Sequence, residues 1–199
     1  MAAHTSAPDA ALDEPPELLA RTIWVGSRIW AASQAFFFLP FLFAFFYLRA
    51  LNSNGFWRGW PGHHPHPSRA FGIAILICVV GSAAVLRAAA RMAGAAWRPV
   101  AAAALALGLA AIALQCAQFA SLGFGPMGAG YASVFVGWTG LFAVVALGTM
   151  FWLENVLAQS LRAAADGPYL RASVEAVSFS WAVLALVEIA AFILLYVVA

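Results

Sequence analysis

The chain has 199 residues, of which 64% are hydrophobic and only 9% are charged, with a formal net charge of +2. A soluble domain of this size could not keep so much apolar surface out of water, so the composition excludes a soluble protein and predicts an integral membrane protein. The basic residues are all arginines placed near the ends of apolar segments rather than gathered in one patch. We therefore expect no nucleic-acid partner.

Residues 1–20 are polar, acidic and proline-bearing, and they lack the basic start and apolar run of a signal peptide. We predict a disordered cytoplasmic tail there, followed by a single five-helix transmembrane domain over residues 21–199. A helix needs about 20 apolar residues to cross a hydrocarbon core of roughly 30 Å. Five segments meet this requirement, at about 22–51, 69–90, 97–122, 131–158 and 173–198. The fold class predicted is an all-α integral membrane protein with five transmembrane helices.

The distribution of arginines over the two sides of these spans predicts the orientation. One side carries Arg21, Arg87, Arg91, Arg98, Arg162 and Arg171, and the other carries Arg49, Arg58 and Arg69. Short loops rich in arginine remain in the cytoplasm. The N-terminus is therefore predicted to be cytoplasmic, and an odd number of spans places the C-terminus outside.

Small residues in the middle spans, among them Gly72, Gly81 and Ser82, predict close helix packing. We expect the face around Gly81 and Ser82 to contact a partner protein. Cys78 and Cys116 lie inside apolar segments without C-x-x-C spacing, so neither a disulfide framework nor a metal site is indicated.

The loop of residues 52–68 contains the only histidine cluster, His63, His64 and His66. Imidazole groups suit Cu and Zn, so a metal site is one interpretation. The cluster has two prolines within it and no cysteine or acid nearby, which favours solvated histidines instead. We predict no metal site.

The last span carries Glu188 at about mid-depth, with apolar neighbours on both sides. An ionised carboxylate is costly at this depth and faces protein rather than lipid. Two interpretations are open: a protonated, hydrogen-bonded packing residue, which we favour, or a proton-handling group. At a rise of about 1.5 Å per residue, Gln34 and Gln115 lie at depths that bracket Glu188, which makes either amide a candidate partner.

The first span is rich in phenylalanine, which is typical of a lipid-facing or packing surface rather than of a quinone or haem site. Transmembrane haem ligation needs His or Met at core positions, and all four histidines lie outside the spans. No cofactor site is predicted in this chain. Arg28 and Arg49 are candidates for contact with lipid phosphates, which guanidinium groups bind bidentately. Snorkelling of both side chains to the membrane surface is the alternative.

Three stretches of the chain carry a resemblance to a known family. They are Trp30-Ala-Ala-Ser-Gln34 with Phe36 to Phe38 and Phe45 to Ala50, then Tyr131 to Phe135 with Thr139-Gly140, and last Val177 to Trp181 with Leu194 to Tyr196. With five spans and a cytoplasmic N-terminus, they resemble subunit III of the haem–copper (cytochrome c) oxidases in its five-helix bacterial form. The resemblance covers about residues 21–199.

The chain departs from that family's pattern at the ionisable positions within the membrane. The positions that match the family's two membrane glutamates, its two fourth-span histidines and its terminal-helix His and Asp are Gln34, Gln118, Phe142, Val145, Ala182 and Ala185. Gln115 is retained before the second glutamate position. Glu188 lies three residues after Ala185, which is the same helical face one turn along. The similarity therefore implies a diverged member with a rewritten polar interior.

The resemblance implies a non-catalytic accessory subunit of a respiratory terminal oxidase, which stabilises the catalytic subunit and supports proton uptake coupled to O2 reduction. It implies no catalytic, cofactor or metal site in this chain, and it places haem and copper in partner subunits I and II. Contact with membrane phospholipids and a multi-pass location in the bacterial inner (plasma) membrane are implied as well.

Two alternatives stay open. One is a subunit III-like partner of a nitric oxide reductase. The other is an independent small transporter or channel that uses Glu188 as its relay acid. No repeat of one span pair in another is evident, and no span is lined with charges, which argues against the transporter.

Overall fold

The computed structural model describes residues 16–52, 55–59, 65–162 and 167–199. Within these ranges the secondary structure is helical. The long helices are α1 (Pro16–Ala50), α2 (Arg69–Ala89), α3 (Trp97–Ser121), α4 (Gly130–Arg162) and α5 (Pro168–Phe192). A 3-10 turn, Gly94–Ala96, precedes α3, and a π-helical segment, Ile193–Val198, continues α5. All five helices are long and apolar enough to cross a membrane, which confirms the predicted all-α, five-span architecture. The orientation in the membrane stays a prediction.

Helix α1 is longer than predicted at its start. It begins at Pro16, so residues 16–20, which we assigned to a disordered tail, are helical. An acid in the first turn, Glu17, favours the helix start because its negative charge complements the positive end of the helix dipole. The remainder of the predicted tail lies outside the described residues. The helix also continues through Pro40 to Ala50 without a break in its assignment.

The connection between α4 and α5 is shorter than the gap between the predicted spans, 131–158 and 173–198. Helix α4 reaches Arg162, whose positive charge complements the negative C-terminal end of the helix dipole. Helix α5 starts at Pro168, a residue type favoured in the first helical turn. Arg98 at the start of α3 donates from Nη2 to the backbone carbonyl of Ser160, which ties the end of α4 to α3.

Helix α5 is the central element of the bundle. It packs against α1, α2 and α4, while α3 packs against α2 and α4, and α1 also contacts α4. Successive spans alternate in direction, so α1, α3 and α5 run one way and α2 and α4 run the other. We call the end at which α1 and α5 begin the N-terminal end of the bundle, and the other the far end.

Small residues let the middle helices approach closely. Helix α3 buries Ala101, Ala104, Gly108 and Ala111, spaced three or four residues apart, which is the packing expected between membrane helices. The predicted close packing of the middle spans is confirmed. In the predicted partner face on α2, Ser82 is fully buried inside the bundle, whereas an added Cβ at Gly81 would have nothing within 4 Å. Contact of this face with a partner protein stays a prediction.

At the far end, a chain of aromatic rings packs between α1 and α4. Trp57, from the loop after α1, is buried, with its ring centroid 5.1 Å from that of Phe45 and 5.7 Å from that of Tyr131. The backbone N–H of Tyr131 donates to the carbonyl of Trp57 at 3.1 Å. This bond satisfies one of the N–H groups that the start of α4 leaves without a helical partner.

Candidate functional site

A line of polar side chains runs along α5 and the surfaces of α2 and α3 that face it. We call this line the polar seam. Its members are Ser82, Gln115, Gln118, Trp181, Glu188 and Tyr196. Lipid tails offer no hydrogen bonds, so each polar group inside a membrane bundle must find its partner within the protein or remain costly.

The first hydrogen-bonded part of the seam lies toward the N-terminal end. Trp181 on α5 donates from Nε1 to Oγ of Ser82 on α2 at 3.0 Å. Ser82 donates in turn to the backbone carbonyl of Ala104 on α3 at 2.6 Å. These two bonds join three helices at one level. Serine is small enough to let α2 approach both neighbours, and its hydroxyl can accept from one and donate to the other.

The second hydrogen-bonded part of the seam lies toward the far end. Gln115 donates from Nε2 to Oε1 of Gln118 at 3.0 Å, and Gln118 donates from Nε2 to the hydroxyl of Tyr196 at 2.7 Å. The Tyr196 ring is packed against Gly72 on α2, where an added Cβ would stand 2.7 Å from the ring carbon Cζ. Glycine at position 72 therefore makes the space that Tyr196 occupies.

The π-helical segment positions the residues of this second part. A π turn disturbs the regular i→i−4 ladder, and such turns occur often at functional sites. Here the carbonyl of Leu195 accepts a hydrogen bond at 2.7 Å from the hydroxyl of Tyr131 on α4. Tyr131 and Tyr196 both line a cleft of about 530 Å³ at the far end, together with Arg58, His66 and Arg69. The second part of the seam thus begins at an open, basic cleft.

Glu188 lies between the two hydrogen-bonded parts. It is seven residues after Trp181 and eight before Tyr196 on α5, so it stands about 10 Å and about 12 Å from them along the helix axis. Its side chain is only 4% exposed, and Oε2 has no hydrogen-bond partner among the described residues. On α2 the buried residues between Gly72 and Ser82 are Ile75 and Val79, which offer it none.

Two other unpartnered polar groups lie near the level of Glu188. Helices α4 and α5 are antiparallel, and the bond from Tyr131 to Leu195 sets their register. Trp138 and Glu188 each stand seven residues inward from that bond, about 10 Å along their helices. The buried Nε1 of Trp138 has no partner in the described part of the chain. The Trp138 ring lies 6.2 Å from that of Phe38 on α1.

Gln34, the third group, is one helical turn before Phe38, about 6 Å from this level along α1. It is 1% exposed, and neither of its two side-chain polar atoms is hydrogen-bonded within the described residues. We call Gln34, Trp138 and Glu188 together the open level. Other buried atoms without a partner there belong to Ser178, Ser180 and Arg98. A helical serine hydroxyl can turn toward the backbone of its own helix, so burying the two serine hydroxyls costs less free energy.

The two amides that we named as candidate partners of Glu188 do not bond to it. Neither Gln34 nor Gln115 forms a hydrogen bond with it in the described structure, because the Gln115 amide donates to Gln118 and the Gln34 amide is unpaired. Both interpretations of Glu188, a packing residue and a proton-handling group, stay open. A buried Oε2 without a partner in the described chain makes the packing role more costly, which motivates a test of the proton-handling role.

Sequence reasoning found the four buried polar positions but missed the residues that connect them. Gln34, Gln115, Gln118 and Glu188 are all buried, and among these four only Gln115 and Gln118 are hydrogen-bonded to each other in the described structure. Tyr196, Trp181 and Trp138 were overlooked because aromatic residues in a span are ordinarily packing surface. Their N–H and O–H groups were the available signal, since a buried Trp or Tyr usually finds a polar partner.

The remaining predicted sites are the lipid-contact candidates Arg28 and Arg49, which lie near aromatic rings, and the histidine cluster. The guanidinium of Arg28 stacks on the Trp24 ring, 3.4 Å from its centroid, and that of Arg49 lies 5.8 Å from the Phe45 centroid. His63 and His64 lie outside the described residues. Within the described ranges, no group of three His, Cys, Asp or Glu side chains is placed to hold a metal ion.

In comparisons with known proteins, no family model matches the chain, and no curated protein is significantly similar to it.

Proposed function

We propose that this chain is a non-catalytic accessory subunit of a respiratory haem–copper oxidase, bound in the membrane to the subunit that carries the catalytic centre. In this proposal the N-terminal end of the bundle faces the cytoplasm of a bacterial plasma membrane. The partners are the catalytic subunit I, its companion subunit II and membrane phospholipids. Haem and copper belong to the partner subunits.

One structural observation carries the proposal. The positions that correspond to the ionisable residues of the subunit III pattern are turned toward the interior of the bundle. Gln34, Gln118, Phe142 and Ala185 are buried, and Val145 and Ala182 are half-buried. A chance resemblance of apolar helices would scatter these positions over lipid-facing and interior surfaces alike. Their shared orientation supports the match between this chain and the family pattern.

The outer surface of α1 is the face that we assign to the catalytic subunit. Phe36 and Phe43 are 72% and 68% exposed, and with Ile29 and Tyr47 they form one stripe at helical spacing. The Phe43 and Tyr47 rings are stacked, with centroids 5.5 Å apart and planes 16° apart. Aromatic side chains have few rotatable bonds, so a second protein can pack against this stripe at a small cost in side-chain entropy.

Purification from native membranes tests the proposal. The full chain, tagged and extracted in mild detergent, should retain a larger haem-bearing subunit, identified by its optical spectrum and by mass spectrometry. Replacing Phe36 and Phe43 by alanine should lower that retention. The matched control replaces Val144 and Leu147, two exposed apolar residues of α4, and should retain the partner. Recovery of the chain alone, or stoichiometric haem in the isolated chain, would count against the proposal.

A second candidate function, an independent proton or ion transporter, is favoured by the open level at Glu188. It predicts that the chain alone, reconstituted in vesicles, carries a proton or ion flux that Glu188→Gln abolishes. The accessory-subunit proposal has one variant, in which the partner is a nitric oxide reductase. It would be recognised by a retained haem subunit that reduces nitric oxide instead of O2.

A further inference from the structure

A cleft of about 610 Å³ opens at the N-terminal end of the bundle. It is lined by residues of α1 and α5, by the last turn of α2 and by the two residues that follow α2. Its charged lining residues are Arg21, Arg28, Arg87, Arg91 and Glu175. Four guanidinium groups thus face a single carboxylate. We call this the arginine cleft, and it lies apart from the polar seam and from the aromatic stripe of α1.

One of these arginines is held in a fixed plane. Arg28 donates from Nη1 to the backbone carbonyl of Trp24 at 3.1 Å, and its guanidinium carbon lies 3.4 Å from the Trp24 ring centroid. On its other flank, Phe179 of α5 is 4.8 Å away. Guanidinium groups stack well on aromatic faces and keep their N–H donors in the plane of the fork. The stacking therefore leaves the remaining N–H donors of Arg28 available to a ligand.

The other arginines add positive charge that the described protein does not neutralise. Arg87 and Arg91 are exposed, and neither their side chains nor that of Arg21 form an ion pair or hydrogen bond with a described residue. Glu175 is likewise not paired with any of them in that part of the chain. Like charges repel when they share a cleft, and the repulsion is relieved by an anion bound among them. Planar guanidinium forks match the oxygen geometry of a phosphate group.

We propose that the arginine cleft binds the phosphodiester of an anionic phospholipid headgroup, which gives a site to the membrane phospholipids of the proposed function, on which this inference rests. Arg87 and Arg91 lie at the end of the membrane-spanning helix α2, and Arg21 lies near the start of α1, which is the level of the headgroups. Trp24, half exposed beside Arg28, is a residue type enriched at the same level of the membrane. The small side chains of Ala20, Ala90, Ala172 and Ala176 keep the cleft wide enough for a headgroup. A free phosphate ion shares the chemistry and is separated from the lipid by the experiment.

Native mass spectrometry of the full-length chain in detergent, with phosphatidylglycerol as the probe, tests this proposal. Wild-type protein should hold the lipid. The double variant Arg87→Gln and Arg91→Gln should bind it about tenfold more weakly or worse, because each charge-assisted hydrogen bond contributes about as much as a tenfold change in affinity. Both side chains are exposed and unpaired within the described chain, so this variant keeps the fold. Arg162→Gln, exposed at the same end but outside the cleft, is the matched control and should bind normally.

Two further measurements make the outcome decisive. Arg28→Lys keeps the charge but loses the planar fork, so it should weaken phosphatidylglycerol binding while circular dichroism stays unchanged. Inorganic phosphate should fail to displace the lipid. Undiminished lipid binding in the double variant would overturn the proposal. Displacement of the lipid by inorganic phosphate at comparable concentration would overturn it too, in favour of a site for the free ion.

Discussion

The two ends of the polar seam differ from the open level between them. At the ends, the polar side chains that reach across helices are hydrogen-bonded, as in the bonds of Trp181 to Ser82 and of Gln118 to Tyr196. At the open level, Gln34, Trp138 and Glu188 are just as deeply buried but have polar atoms without a partner in the described chain. The ends therefore have a structural reason to be polar. The open level has none within the described chain, so its buried polar groups require another explanation, which the following tests address.

Buried polar groups stabilise the fold at the ends of the seam, where they are hydrogen-bonded, and destabilise it at the open level. An interhelical hydrogen bond in a membrane protein contributes roughly 0.6 to 2 kcal/mol to stability. A buried polar group without a partner costs roughly 1 to 3 kcal/mol. Substitutions at the ends should therefore lower the free energy of unfolding, and substitutions at the open level that keep the side-chain volume should leave it unchanged or raise it. The following four tests are arranged by the size of the expected change.

The largest effect is expected from Gly72→Leu. A side chain at this position meets the Tyr196 ring, which must leave its place and release Gln118. Overpacking of this kind costs about 3 kcal/mol, and the lost hydrogen bond adds to it. Gly81→Leu on the same helix is the control, because nothing lies within 4 Å of an added Cβ there. Unfolding in a titration with denaturing detergent measures both, and equal stability of the two variants would contradict this account.

Gln118→Leu should have the next largest effect. It removes both hydrogen bonds of this residue and leaves the Gln115 amide and the Tyr196 hydroxyl without their shared partner. We expect a loss of about 2 kcal/mol in the free energy of unfolding. Gln115→Leu removes only the hydrogen bond between Gln115 and Gln118, so about half that loss should be measured. If Gln115→Leu lowers the free energy of unfolding more than Gln118→Leu does, Gln118 is not the residue that joins Gln115 to Tyr196.

Sequence reasoning predicts the spans well and the contacts between them poorly. The five helices follow from long apolar runs, and the burial of Gln34 and Glu188 follows from the cost of polar groups in lipid. The partner of each group depends on which helices become neighbours. Trp181 and Ser82 are 99 residues apart in the chain, and the π-helical segment that presents Tyr196 has no sequence signature that we recognised.

Trp181 and Trp138, two of the buried tryptophans, compare a hydrogen-bonded end with the open level most directly. Trp181→Phe removes a donor that is bonded to Ser82, so it should lower the free energy of unfolding by about 1 kcal/mol. Trp138→Phe removes a donor that has no partner in the described chain, so its loss of stability should be smaller than that of Trp181→Phe. Both changes remove similar ring volume, which makes each the control for the other. If Trp138→Phe is the more destabilising change, the open level is hydrogen-bonded after all.

The smallest change in stability, and the most informative change in activity, is expected from Glu188→Gln. Glutamine keeps the shape of the protonated acid, and Oε2 has no hydrogen bond to lose in the described structure, so the free energy of unfolding should change by less than about 1 kcal/mol. Glutamine cannot release a proton. If Glu188 handles protons for an oxidase, the assembled complex should keep its haem content while O2 consumption and proton pumping fall several-fold.

Gln34→Leu is the matched control for this last test, since it alters the open level without removing an ionisable group. It should assemble normally and keep most of its turnover. Unchanged turnover and pumping stoichiometry in Glu188→Gln would show that Glu188 is a packing residue. A fall in turnover in Gln34→Leu as large as that in Glu188→Gln would instead assign the effect to the shape of the open level. Only a loss confined to Glu188 identifies its carboxyl group as the functional centre of this chain.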